Sequence, residues 1–551
     1  MKFKKTILIA LCAIISVGFA FANGEQQSSG STGSAAATGQ ETFTLWKMMD
    51  TNDYYVGYSN NPTIQFLNRK FNVKLDFQEP AVGQEATAIS LMFGTGEYTD
   101  AVYIQYYTGS IQELYEDGVI INIADYLDSM PNYKAYIEAN PKFKRNVYDD
   151  NGRILSMPTL AGEGGAWGGL AYNRGILDEI TNKNPQFPSG NSEPTTIEDM
   201  EYMLALYRQY FDSKGKEYAA PLMLPYNALF VYSELESGFG IINREYVEND
   251  VVKYGPIENG FRNYIAKMAE WYKKGWIYND FASRVNDPPY LPNPAMTYGG
   301  DAGIWFGLMG QLGDKMSQPD HNLYTYALPL KSPLDTAHGI KTAASPISGK
   351  AGDIATKGWV ITKACKNPEK LLAIFDYLYT DEGAKLYYGV TKEQGADKDP
   401  AMIKAKMQDG AYWYDAGGNF VWNPEITFGG GKLDFSLFND GRLPGLRPDK
   451  DIKPFNSDLD KLGESTWSAY SDSPMQLLPM TLSYTADDEK KIANNNVQIR
   501  DYLNVELAKF ILGTTPLNDE TWNAYTAQLK NLGVTENIAL QQEAYNRWLK
   551  R

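Results

Sequence analysis

Apolar residues along this chain switch repeatedly between a period of two and a period near 3.6. Residues 43–46 form a short strand-like run. Pro62 then opens a helix at its first position, where its missing N–H costs nothing, and Ile64, Phe66, Leu67 and Phe71 give the apolar stripe. Val73, Leu75 and Phe77 alternate as a second strand, a second helix is predicted over 84–93, and Ala101-Val102-Tyr103-Ile104 reads as a buried strand. Successive βαβ units predict a mostly parallel sheet with right-handed crossovers. Ligands of such sheets bind off the carboxyl ends of the strands. That places the loops after Trp46 and Ile104, with Asp50, Asn52, Tyr106 and Tyr107, at a candidate cleft.

From about residue 195 the helical period dominates. Thr195-Thr196-Ile197-Glu198 has the form of a capping box opening a helix with Met200, Met203, Leu204, Tyr207 and Phe211 on one face. A helix over 261–274 ends at Gly275. Strand character returns at 302–306, 324–328 and 359–362; Asn367 with Pro368 caps a further helix, and Thr380 caps the next, which Gly389 closes. The stretch 400–480, with Gly429-Gly430-Gly431 and several prolines, reads as a loop-rich cover, followed by helices. This order predicts an α/β protein of two discontinuous lobes, each a mostly parallel sheet flanked by helices. One lobe is expected from 41–165 with 327–400, the other from 166–326 with 401–551. A cleft between lobes is then the default ligand site.

The N-terminus changes where the protein is expected to work. Lys2, Lys4 and Lys5 precede an apolar run too short to span a membrane, and Ala20-Phe21-Ala22 fits signal-peptide cleavage, so 1–22 reads as a signal peptide and 23–40 as a flexible tether. Cys12 follows Leu11 rather than a small residue, so a lipid anchor is not expected; a periplasmic or cell-surface location is. Cys365 is then the only remaining cysteine, and stability must come from packing. The formal charge is −16, or −19 without the three leader lysines, which argues against nucleic acid and anionic membranes as partners.

Reactive motifs are sparse. His321 and His338 are isolated, and HExxH, GxSxG and GxxxxGK[ST] patterns do not occur. No cofactor is expected. Gly162-Glu163-Gly164-Gly165-Ala166-Trp167-Gly168-Gly169 lacks dinucleotide spacing and reads as a flexible connection between lobes, from which Trp167 reaches the cleft. A glycosidase needs only two well-placed carboxylates, and 67 acidic residues leave an extracellular glycoside hydrolase open as an alternative. The 39 Tyr, 23 Phe and 11 Trp suit either a large aromatic core or ring stacking on sugars.

Several segments together carry a resemblance. They are Leu114-Tyr115-Glu116-Asp117-Gly118-Val119-Ile120, Asp149-Asp150-Asn151-Gly152-Arg153, Leu170-Ala171-Tyr172-Asn173-Arg174, Leu378-Tyr379-Thr380-Asp381-Glu382-Gly383, and a tail with Leu507-Ala508-Lys509-Phe510, Trp522-Asn523-Ala524-Tyr525 and Gln542-Glu543-Ala544-Tyr545. From about residue 42 to 551 the series resembles extracellular solute-binding proteins of family 1, in the LplA-like branch that includes alginate-binding proteins. The resemblance implies a type II periplasmic-binding fold, an oligosaccharide ligand, ABC permease subunits as partners, no catalysis and a monomer. The expected cleft is lined by Trp46, Asp50, Tyr106, Trp167, Trp305 and Trp413; of these the resemblance likens Trp305 to the family's ligand-stacking aromatic, with interlobe packing as the alternative. A peptide or other non-sugar ligand is a further alternative. Many members of the branch carry a calcium loop. Its counterpart, Asp212-Ser213-Lys214-Gly215-Lys216-Glu217-Tyr218, is short and has lysines where oxygen ligands are needed, so no metal is expected.

Overall fold

The computed structural model describes residues 40–551 except 50–52, 160, 163–165, 225, 227–234, 285–286, 288–289, 291, 309–311, 313–324, 328–357, 426–442, 448–457 and 469–474. The leader, residues 23–39 of the tether, Asp50, Asn52, His321, His338 and Gly429-Gly430-Gly431 lie outside the described residues.

The strands among these residues are β1 (Glu41–Trp46), β2 (Val73–Gln78), β3 (Ala101–Tyr103), β4 (Gly168–Asn173), β5 (Ala220–Met223), β6 (Glu245–Glu248), β7 (Val251–Tyr254), β8 (Ala302–Leu308), β9 (Thr325–Ala327), β10 (Trp359–Ile361), β11 (Tyr412–Tyr414), β12 (Phe420–Trp422) and β13 (Met475–Leu477). One sheet has the order β10-β3-β1-β2, another β5-β8-β4-β9, a third β13-β6-β7, and β11 pairs with β12.

The first sheet follows from its local signals. Asn61 accepts from Thr63 N and starts the helix Pro62–Phe71, and Asn72, in the left-handed region at φ 50°, ends it and turns the chain into β2. β1 runs parallel to β2 and to β3, while β10 closes the edge antiparallel to β3. Alternation puts Phe43, Leu45, Leu75, Phe77, Tyr103 and Trp359 into one core with Ile64, Tyr133 and Phe375. Trp46, Val102, Ile104 and Val360 face the other way, against Ile89 and Leu114. Each such side chain contributes about 1.5–3 kcal/mol on burial.

The second sheet is mixed rather than mostly parallel. β5 is parallel to β8, but β4 is antiparallel to both β8 and β9. These strands come from distant parts of the chain, so no βαβ unit dictates their sense. Leu170, Tyr172, Leu222, Ile304 and Phe306 enter a core with Met200, Met203, Leu204 and Phe211 of the helix Ile197–Ser213 and with Ile265, Met268 and Trp271 of Asn259–Lys273. The cap of Ile197–Ser213 lies one residue beyond the expected one. Thr196 accepts from Asp199 N, and the Asp199 carboxylate accepts from both Thr195 N and Thr196 N.

The tail helices Ala486–Leu512, Asp519–Asn531 and Val534–Trp548 add Leu503, Leu507, Phe510, Trp522, Tyr525, Leu529 and Val534 to the same core. In its described residues the stretch beyond 400 is more regular than a loop-rich cover. It holds the helix Pro400–Lys404 and the β11–β12 hairpin, and Met402, Ala405, Met407, Ala411, Tyr412 and Leu443 join the core of the first sheet. Among the described residues no helix is long and apolar enough to cross a membrane.

Candidate functional site

β1 and β3 run parallel, so their carboxyl ends lie along one edge of the first sheet. Trp46 stands at that edge and is buried with Ile89, Val102, Leu114 and Leu155. Tyr106 is half-buried against the same cluster, and the Tyr107 ring packs edge-on to Phe93 at 4.9 Å. Burial pushes the Tyr107 hydroxyl above its ordinary range, helped by Glu113, Asp117 and Glu489. Lys47, directly after Trp46, is fully buried, with its ammonium 3.7 Å from the centre of the Tyr58 ring.

At the second sheet, Trp167 immediately precedes β4, whose Gly168 pairs with Leu308 at the end of β8. Because β5 and β8 are parallel, Trp167 stands at their shared carboxyl edge. It is 42% exposed, and its ring tilts on Tyr290 at 4.9 Å. Two rings lie on adjacent glycines of β4. A Cβ on Gly168 would fall 2.7 Å from Tyr290 Cε1, and one on Gly169 2.5 Å from Trp467 Cδ1. Real Cβ atoms do not approach so closely, so glycine here serves close ring–strand contact. The expected flexible connection therefore ends, at 168–169, in buried strand.

Trp305 is 0% exposed. It pairs with Ala171 and Met223 on neighbouring strands and is enclosed with Trp467, Leu312, Ala166, Ala220 and Ala302. Trp467 is fixed by its indole N–H, which donates to the Leu170 carbonyl at 2.8 Å. The small residues on this face make room for two indoles.

Trp413 lies elsewhere, half-buried on the β11–β12 hairpin, paired with Val421. There Tyr412 stacks on Phe420 at 4.8 Å, and Trp422 meets Tyr388 edge-on at 4.8 Å. The hairpin turn is held by Asp415, whose carboxylate accepts from Asn419 and Gly417 and is held below the usual range, chiefly by the Asn419 side chain.

The residues expected to line one cleft thus occupy three places: Trp46 and Tyr106 on the first sheet's edge, Trp167 and Trp305 on the second sheet, and Trp413 on the hairpin. Lys47, Tyr290 and Trp467 were not singled out from sequence. The adjacent glycines at 168–169 were the available signal for the last two.

The segment resembling a calcium loop does not fit the ion. Arg208 donates to the Asp212 carboxylate at 2.9 Å and to the Lys216 and Ala219 carbonyls at 3.1 and 2.9 Å. Lys216 in turn donates to Asp301 at 2.6 Å, a bond that raises the lysine's pKa. The oxygens that calcium would need already serve a guanidinium and an ammonium.

No family model matches the chain, and no curated protein matches it in sequence. Solved structures do match. A human-milk-oligosaccharide-binding, ABC-transporter-associated solute-binding protein from Bifidobacterium longum infantis is 17% identical with a TM-score of 0.69, covering 93% of this chain and 100% of its own. The S. pneumoniae ABC-transporter substrate-binding protein FusA in complex with kestose gives 18%, 0.66, 93% and 100%. The alginate-binding protein AlgQ2 without calcium ion gives 17%, 0.63, 93% and 99%. At such identities the likeness establishes the fold, which is the two-lobed α/β fold of ABC-transporter solute-binding proteins.

Proposed function

We propose that this chain, whose fold is that of ABC-transporter solute-binding proteins, is the substrate-binding component of an importer and captures an oligosaccharide between two lobes. The observation that carries this reading is Trp167. It is an exposed indole, backed by Tyr290, at the carboxyl edge of β5 and β8, where ligands of α/β sheets bind. An aromatic face of this kind stacks on the apolar face of a sugar ring. The milk-oligosaccharide, fructan and alginate binders that share the fold add weight to a carbohydrate ligand, and within them the LplA-like branch remains our assignment from the quoted segments.

In this proposal the two cores are the two lobes: 41–161 with 359–446, and 166–327 with 467–551. The stretch 401–446 goes with the first because Met402, Met407, Tyr412 and Leu443 pack there. Trp46, Tyr106 and Trp413 would be contributed by the first lobe and Trp167 by the second, where Trp305 is enclosed. Sugar contacts on both lobes favour the closed state. The closed protein, exported by its leader and monomeric, then delivers its ligand to membrane permeases without chemical change.

Thermal-shift screening against neutral and acidic oligosaccharides and against peptides tests the proposal. A true ligand at a hundred times its Kd should stabilise the protein by about 2.7 kcal/mol. Stabilisation by peptides alone would replace the sugar reading. Product analysis after incubation with the stabilising glycan separates binding from hydrolysis, since an intact glycan is the outcome required of a carrier.

A further inference from the structure

Three separate contacts converge on Tyr290, which lies between the helix Asn259–Lys273 and β8. Its ring lies against β4 at Gly168, where a Cβ would sit 2.7 Å from Cε1 and 2.9 Å from Cδ1. It meets Phe306 of the core edge-on, at 6.4 Å and 83°. Its other contact is Trp167, at 4.9 Å and 53°. Tyr290 itself is buried, whereas Trp167 keeps 42% of its surface in solvent. An indole outside a strand, with two free side-chain torsions, would normally sample several rotamers. Here one neighbour is wedged between the core and the indole, and it can lie so close to the strand only because residue 168 has no side chain.

We propose that Gly168, Tyr290 and Trp167 form one device: Tyr290, seated on Gly168 and braced by Phe306, is the positioning residue that holds Trp167 as a pre-set stacking platform for an uncharged pyranose unit presenting a C–H face. This rests on the carbohydrate reading above. The gain is entropic, because a side chain already held in its bound rotamer loses less freedom on binding. Trp167 touches the sugar; Tyr290 acts through it. Trp305, fully enclosed on β8, is not the platform.

The test is a double-mutant cycle on the full chain, using an oligosaccharide found to bind the unaltered protein, with affinity measured by calorimetry. Trp167→Ala should weaken binding roughly tenfold, the loss expected for an aromatic anchor worth about 1.4 kcal/mol. Tyr290→Leu should weaken it by a similar factor, and the double variant should be little worse than either single one. Tyr290→Phe should bind within about twofold of the unaltered protein, since the ring and not the hydroxyl is the seat. Sugar should also change tryptophan emission in the unaltered protein and in Tyr290→Phe, and this change should be absent in Trp167→Ala.

If Tyr290→Leu does not fold, Gly168→Ala, whose Cβ would meet the ring at 2.7 Å and the Gly307 carbonyl oxygen at 2.9 Å, should reproduce the loss, with its fold checked by circular dichroism. Unchanged affinity in Tyr290→Leu or Gly168→Ala, or losses that simply add in the double variant, overturn the inference and leave the carbohydrate reading standing. Failure of the unaltered protein to bind any glycan sinks that reading itself.

Discussion

Trp305 is fully enclosed while Trp167 keeps 42% of its surface, so the two side chains answer to different free energies. Replacing Trp305 by Ala removes a large buried ring and leaves a cavity beside Trp467 and Leu312, which should cost about 3–5 kcal/mol of stability. Chemical denaturation measures this; a lost affinity with unchanged stability would instead make Trp305 a ligand contact. Cys365 offers a second check at this scale. Burial pushes its thiol up to about 12, against 9.0 ordinarily. The native thiol therefore keeps its proton where the unfolded one loses it. The stability this group contributes is fully present below about pH 9 and is lost as pH rises towards 12, at up to about 1.4 kcal/mol per pH unit. Iodoacetamide at pH 8 should accordingly modify Cys365 only in denaturant; rapid modification of the native protein would contradict the burial.

At the scale of elements, the loop between the helix Ile197–Ser213 and β5 carries its own cations. Arg208 ties Asp212 to two carbonyls, and Lys216 ties the loop to Asp301 just before β8. Calcium or a chelator should therefore leave the melting temperature unchanged. Arg208→Ala should lower stability by about 1–3 kcal/mol, because carbonyls and a carboxylate lose their charged donor. Differential scanning fluorimetry with calcium and with EDTA reads both effects, and a calcium-dependent rise in Tm in the unaltered protein would refute the assignment. The sequence already showed lysines where oxygen ligands were needed. It did not show that Arg208, in the helix before the loop, was their partner, because that pairing depends on how the chain turns at Gly215, whose φ is +68°.

At the scale of the molecule, the tail does more than pack the second core. Arg551, with only 4% of its side chain exposed, donates to Asp150, to the Thr481 carbonyl and to Ser483. Arg547 donates to the same Asp150, the Trp548 indole N–H donates to Asn146, and Arg145 stacks on the Trp548 ring. Asp150 follows the helix Pro141–Val147, whose Phe143 and Val147 belong to the first core. The helix Val534–Trp548 reaches the second core through Val534, while its Ala544, Tyr545 and Trp548 pack with Val247 and Val252 of β6 and β7. This cluster thus joins the two cores at a point fixed by charge. Asp150→Ala should cost about 3–5 kcal/mol, since it leaves a buried guanidinium without its counter-ion. Denaturation gives the cost; a loss under 1 kcal/mol would show that the cluster is not a joint.

The sequence by itself determined the elements whose signals are local. Pro62 and Asn72 bound one helix, Asn367 with Pro368 starts another, and the alternation in β1 and β2 chooses which residues face the core, all through backbone preferences and periodicity that act within a few residues. It also pointed to the two-lobed α/β fold. Only the tertiary structure decided the rest: that β4 opposes β8, that 401–412 joins the first core, that Trp305 is enclosed and Trp167 exposed, and that Tyr290 lies on Gly168. Each of these joins residues far apart in the chain, where no local preference acts and only the filling of space and the pairing of polar groups make the choice.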